Sequence, residues 1–187
     1  VTGLSGADIR VLHIATHGFF FPVPRTGDDA APEAQPQLSR GREYFRGDDH
    51  PLLRSGLIFA GANRAWSGEP VSGTKEDGIL TALEISRLDL QGTELVVLSA
   101  CETALGDIRT GDGVFGLQRS FLAAGASSLL MSLWKVPDGP TADLMASFYS
   151  KWLSGMTKAD ALREARAELR ANSPDPRIWA PFILIGN

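Results

Sequence analysis

The chain contains one cysteine, Cys101, and three histidines, His13, His17 and His50. A single cysteine closes no internal disulfide and builds no cysteine-rich zinc site, so its chemistry is that of a free thiol. A thiol becomes a nucleophile when a base takes its proton, and histidine titrates in the range that suits this exchange near neutrality. The common alternative for a lone cysteine is a small buried hydrophobe. Against it, Cys101 is followed by Glu102-Thr103 and then Gly106, which suit an accessible turn. His17 is followed by Gly18, which lets a backbone approach closely. His13 and His17 have the spacing of a helical zinc pair, but on a strand they stand about 13 Å apart, too far to share a metal. No metal site is expected. His13 reads as a packed core histidine and His50 as a solvated loop residue.

The elements that must position Cys101 and His17 follow from the apolar runs. Val11–Thr16, Leu95–Ala100, Ser128–Leu133 and Phe182–Ile185 read as four central strands, and Leu57–Ala60 as a fifth in a side hairpin. Helical patterns occupy Ile79–Leu88, Val114–Ala124, Thr141–Leu153 and, after a capping-box signal at Thr157-Lys158-Ala159-Asp160, the segment to Ala171. Strands alternating with helices predict an α/β fold with a mostly parallel sheet flanked by helices. In such a sheet the functional crevice lies outside the carboxyl ends of the strands. His17 and Cys101 each lie one residue past such an end. If their strands are neighbours, about 4.8 Å separates the strand axes and the imidazole can approach the thiol.

Composition sets the wider limits. With 187 residues, 43% of them hydrophobic, one domain spanning residues 1–187 with a sizeable core is expected. The net charge of -4 and the lack of basic runs exclude the electrostatic footprint of a nucleic-acid binder, so protein or peptide partners are expected. No apolar stretch is long enough for a membrane helix and Val1-Thr2-Gly3-Leu4 lacks the features of a signal peptide, which predicts a soluble, cytoplasmic domain. Residues 22–50 are rich in Pro, Gly and charge, and read as a long flexible surface loop flanking the groove. Gly111-Asp112-Gly113-Val114-Phe115-Gly116 fits a dinucleotide fingerprint, but ten residues separate it from the preceding strand end, so its glycines are read as loop and helix-start residues. No cofactor is called for.

Four blocks then carry a resemblance: His13-Ile14-Ala15-Thr16-His17-Gly18, Leu98-Ser99-Ala100-Cys101-Glu102-Thr103-Ala104, Ser132-Leu133-Trp134-Lys135-Val136-Pro137-Asp138 and Trp179-Ala180-Pro181-Phe182. Together they resemble the CHAT domain, a caspase-like peptidase domain often found behind tetratricopeptide repeats in bacteria. The resemblance implies a caspase-like three-layer sandwich, a cysteine endopeptidase acting on protein substrates through His17 and Cys101, and regulation by fused or partner modules, including tetratricopeptide repeats in the same chain. It also implies kinship with caspases, separases and gingipains. The His–Cys separation is 101 − 17 = 84, and removing the 29 residues of the 22–50 loop leaves 55, near the caspase spacing of about 50. Caspase-like folds carry two strands before the one ending in His, so the domain is expected to lack its N-terminal strands. By the same resemblance the backbone N–H groups of Gly18 and Cys101 form an oxyanion hole. Ser132, Trp134 and Asp138 wall a substrate pocket that favours Arg or Lys before the cut, unless Asp138 merely caps the helix at Thr141. The rival readings are a catalytically silent caspase-like binding or signalling module, and a thiol acyltransferase.

Overall fold

A computed structural model of the chain describes residues 2–20, 50–63, 77–99, 112–134 and 136–186. In chain order the elements are β1 (Val11–Ile14), β2 (His17–Phe20), β3 (Ser55–Ile58), β4 (Ile79–Thr81), α1 (Ala82–Ile85), β5 (Leu95–Leu98), α2 (Asp112–Ala123), β6 (Ser128–Ser132), α3 (Asp138–Leu153), α4 (Lys158–Asn172), α5 (Pro176–Trp179) and β7 (Phe182–Gly186). A central sheet runs β1-β5-β6-β7, with β1, β5 and β6 mutually parallel and β7 antiparallel at the edge. A smaller antiparallel sheet runs β2-β3-β4. The mixed architecture, a mostly parallel sheet flanked by helices, is that of a caspase-like α/β fold.

Strand side chains alternate between two cores, as the pleat requires. Val96, Leu98, Leu129 and Met131 join Leu12, Ile14, Leu57, Leu117 and Phe121 on the face covered by α1, α2 and the small sheet. Leu95, Val97, Leu130 and Phe182 join Leu144, Phe148, Leu162 and Ala165 on the face covered by α3 and α4. All four residues of β5 are fully buried, which explains why this strand is a continuous apolar run in the sequence rather than an alternating one. Lys158, the first residue of α4, ties the strand starts together: its ammonium donates to the Glu94 carbonyl and to Ser128 Oγ.

The four central strands form where the sequence predicts them, whereas the side-hairpin strand lies two residues earlier than Leu57–Ala60, at Ser55–Ile58. The segment read as a helix over Ile79–Leu88 is not one throughout. Ile79–Thr81 pairs with β3, and the helix starts only at Ala82, where Thr81 and Glu84 form a reciprocal capping box. Three consecutive buried residues carry no period that separates strand from helix, so pairing with β3 decides the matter. Helix α3 also begins earlier than Thr141. Gly139 and Pro140 lie in its first turn, where a missing N–H costs no helical hydrogen bond, and the Thr141 hydroxyl donates to the Pro137 carbonyl. Gly116, the last glycine of the fingerprint-like run, is buried against β3, where a Cβ would come within 2.8 Å of Ser55 Oγ. Its smallness serves helix-to-strand packing.

His13 is not a core residue. The Arg10 and Ile14 carbonyls accept hydrogen bonds from β5 (Leu95 and Ser99), so the odd-numbered backbone groups of β1 point off the sheet, and among the described residues no strand pairs with that edge. The His13 side chain lies exposed against α3, where Nδ1 and the Tyr149 hydroxyl share a 3.0 Å hydrogen bond. Tyr149 in turn packs edge-on to Phe148, whose ring stacks on Trp152. Partial burial lowers the His13 pKa from its ordinary value and pushes the Tyr149 phenol up to about 12.

Two expected outcomes test this packing. Phe148→Ala, which empties the centre of the α3–α4 core, lowers unfolding free energy by about 3–5 kcal/mol in urea titration. A histidine whose folded pKa is depressed binds its proton more readily in the unfolded chain, so its contribution is complete above pH about 6.5 and is lost as pH falls through the lower folded value. Melting temperatures should therefore fall on acidification below that point, and His13→Asn should flatten this part of the profile. An unchanged slope in the variant removes His13 as its source.

Candidate active site

Strand β1 pairs with β5 in register, Ile14 opposite Leu98, and the Ser99 N–H donates to the Ile14 carbonyl just past the last pair. Both chains leave the central sheet here, at the carboxyl ends of parallel neighbours, where an open α/β sheet presents its crevice. His17 follows Ile14 by 17 − 14 = 3 residues and Cys101 follows Leu98 by 101 − 98 = 3 residues. Cys101 itself lies outside the described residues, as do the turn after it and residues 22–49 of the loop.

His17 does not hang from a loop, as the sequence implies. Only Ala15 and Thr16 separate β1 from β2, and His17 is the first residue of β2, paired with Ile58 of β3. The Thr16 hydroxyl donates to the Ile58 carbonyl and fastens the crossing from one sheet to the other. Further along, Phe19 is 2% exposed, its ring lying over Gly56, where a Cβ would come within 2.6 Å of that ring and 2.7 Å of the Leu80 carbonyl. Gly56 thus makes room for the ring that anchors β2. The result is an exposed His17 imidazole on a strand whose next two residues, Gly18 and Phe19, are buried. Neither Thr16 nor Gly56 was among the residues singled out from sequence. The Thr16-His17-Gly18 string could have marked the first, whereas nothing local marks a glycine that serves a ring 37 positions away (56 − 19 = 37).

Strand order brings the third block alongside, because β6 is the other neighbour of β5. Ser132, the last residue of β6, is 1% exposed and pairs with Phe182, and the Leu133 N–H donates to the Pro181 carbonyl. Trp134 packs against the α3–α4 core, and its indole N–H donates to the Arg177 carbonyl at 3.2 Å. Val136 is buried and Pro137 stands at the helix N-cap position with no side-chain cap. Asp138 is exposed in the first turn of α3 rather than ahead of it. Of the sequence-predicted residues, the chain topology therefore collects His17, Gly18, Ser132, Trp134 and Asp138 on the two sides of the strand that leads to Cys101. His50 lies apart, exposed, with Nδ1 accepting from the Leu52 N–H to open the short 3-10 turn Pro51–Leu53.

Residues 2–187 match the sequence profile of the CHAT domain. Among curated proteins, the chain is 38% identical over 128 residues to the human tetratricopeptide repeat protein 28, covering 66% of this chain and 5% of the relative. It is 39% identical over 111 residues to the mouse protein of the same name, covering 58% of this chain and 4% of the relative. The chain thus spans about one twentieth of the length of the curated relatives it matches. Among the described residues no helix is long and apolar enough to cross a membrane. With the profile covering all but the first residue, the chain belongs to the CHAT-domain family.

Proposed function

We propose that this domain is a cysteine endopeptidase in which Cys101 is the nucleophile and His17 its acid–base partner. The observation that carries this reading is the register of β1 on β5: two parallel neighbours, each followed at the same three-residue offset by one member of a Cys–His pair. In the proposed reaction the Cys101 thiolate attacks the scissile carbonyl carbon, and the protonated His17 imidazole gives its proton to the leaving amine as the C–N bond breaks. The resulting thioester is hydrolysed by a water that His17 deprotonates, which releases the acid and restores the thiol. The N–H groups of Gly18 and Cys101 are proposed to hold the negative oxygen of each tetrahedral intermediate.

Ser132, Trp134 and Asp138 would form the substrate pocket, and the exposure of Asp138 in the first turn of α3 supports a role as a cation acceptor. A substrate guanidinium or ammonium would pair with its carboxylate. The match to tetratricopeptide repeat proteins supports regulation by such repeats in the same chain. That these relatives are named for their repeats alone leaves one competing reading, a silent caspase-like module that reports a partner without cleaving it.

Cys101→Ala and His17→Ala should each abolish peptide cleavage with no loss of melting temperature, since His17 is exposed and Cys101 follows the packed strand. Residual cleavage by Cys101→Ala above about a hundredth of the parent removes the nucleophile assignment. Iodoacetamide at pH 6 separates the competing reading, because an activated thiol reacts far faster than free cysteine there and an inert one does not. For the pocket, Asp138→Asn should weaken cleavage after Arg and Lys relative to Leu and Met in a peptide panel. An unchanged preference means that Asp138 does not read the substrate.

A further inference from the structure

The charges of helix α4 are unevenly matched. Asp160 and Glu164 pair with Arg163, and Glu168 pairs across the helix interface with Lys151 and accepts from Ser147 of α3. At 3.6 residues per turn, Arg166 and Arg170 fall on the flank opposite Glu168, so none of the helix's acids reaches them. Arg170 places its guanidinium 5.3 Å from the centre of the Trp179 ring. Arg166, one turn earlier on the same flank, has its Nε buried with no hydrogen-bond partner among the described residues. The Trp179 indole N–H is also buried without a partner. Asp175, the N-cap of α5, is occupied by Arg177 in a 2.8 Å ion pair.

A cation beside the C-terminal carbonyls of a helix is favourable in itself, which accounts for Arg170 in the last turn. It does not account for Arg166 in the preceding turn, nor for the indole. Buried donors without acceptors are costly and uncommon, and here two of them flank a third donor group stacked on an aromatic face. Burial also lowers the Arg166 pKa, with no anion among the described residues to offset it. The flank lies next to the strand ends: Trp179 leads through Ala180 and Pro181 into Phe182, which pairs with Ser132 at the end of β6. From there the end of β5 is two strands away, roughly 10 Å, or about three residues of extended polypeptide.

We propose that Arg166, Arg170 and the Trp179 indole form a carboxylate-binding subsite for an acidic side chain of a bound polypeptide. The guanidiniums take the carboxylate oxygens, the indole N–H adds a third donor, and the ring covers the methylenes of a glutamate. A singly charged carboxylate suits the position better than a phosphate dianion, because the C-terminal half of a helix repels added negative charge. That the polypeptide is a substrate, with its acid about three or more residues from the cut, rests on the peptidase reading. The subsite itself does not.

The test reads the indole directly. Of the four tryptophan indole N–H signals in an NMR spectrum of the chain, the one lost in Trp179→Phe belongs to this site. Titration with a blocked oligoglutamate peptide should shift it saturably, while an oligoglutamine peptide and inorganic phosphate at equal ionic strength should not. Arg166→Gln and Arg170→Gln should each weaken the apparent affinity by about tenfold or more. Arg163→Gln, whose guanidinium already has its acids, should leave the affinity unchanged. No shift with oligoglutamate, a response to phosphate instead, or equal affinity in Arg166→Gln and Arg170→Gln overturns the proposal. None of these readouts depends on cleavage, so a loss of the peptidase reading and a loss of the subsite are separable.

Discussion

The parallel pairing of β1 with β5 is the contact on which the rest of the structure depends. Parallel strands need both faces covered and a long crossover between them, and this chain meets both demands. Leu95 and Val97 face one helical layer, Val96 and Leu98 face the other, and every one of these side chains is fully buried. A shift of one residue in β1 would turn His13 into the core and Leu12 and Ile14 out of it, so the register is held by burial on the α2 side as well as by hydrogen bonds. Because the register fixes Ile14 opposite Leu98, it also fixes where the two chains depart from the sheet. The functional crevice is in this sense a by-product of core packing.

The small sheet performs a different task. It is too short to form a core of its own, and its buried residues Leu57 and Leu80 merge into the core beneath the central sheet. Its value lies in turning the chain within two residues after β1 and then holding the next strand firmly. Thr16, Phe19 and Gly56 share that work: a hydroxyl caps the crossing, a ring is buried and a missing Cβ makes room for it. A histidine on a free loop would give up side-chain and backbone freedom each time it met a substrate. On β2 the backbone is already ordered by folding.

Reading the sequence located what local signals can carry. Leu95–Leu98 and Ser128–Ser132 are apolar runs that only a doubly covered strand explains, and Thr157 with Asp160 marked the start of α4 to the residue. The errors fall where a distant partner decides. Ile79–Thr81 is a strand because Gly56–Ile58 lies beside it, and His13 is exposed because β1 has a paired strand on one side only among the described residues. Asp138 was weighed as a cap ahead of the helix, but α3 starts early enough to include it. The pairing of His17 with β3 had no sequence signal, since a four-residue segment with Gly18 at its centre carries too little periodicity to read. Arg166 and Arg170 of α4, which have no acidic partner among the described residues, were equally invisible, because that lack is a property of the folded helix flank.

The two-residue crossing at Ala15-Thr16 has a mechanical meaning. His17 belongs to the small sheet, whereas Leu98, three residues before Cys101, belongs to the central one. The separation between His17 and the carboxyl end of β5 is therefore a gauge of how the sheets are seated on each other, and a slip of a fraction of a strand spacing at that seam changes it directly. Hydrogen-bond geometry tolerates only a few tenths of an ångström before it fails. A seam closed by Leu57, Leu80 and Phe19 thus acts as the bearing of a caliper whose jaws are the His17 imidazole on one side and the end of β5 at Leu98 on the other.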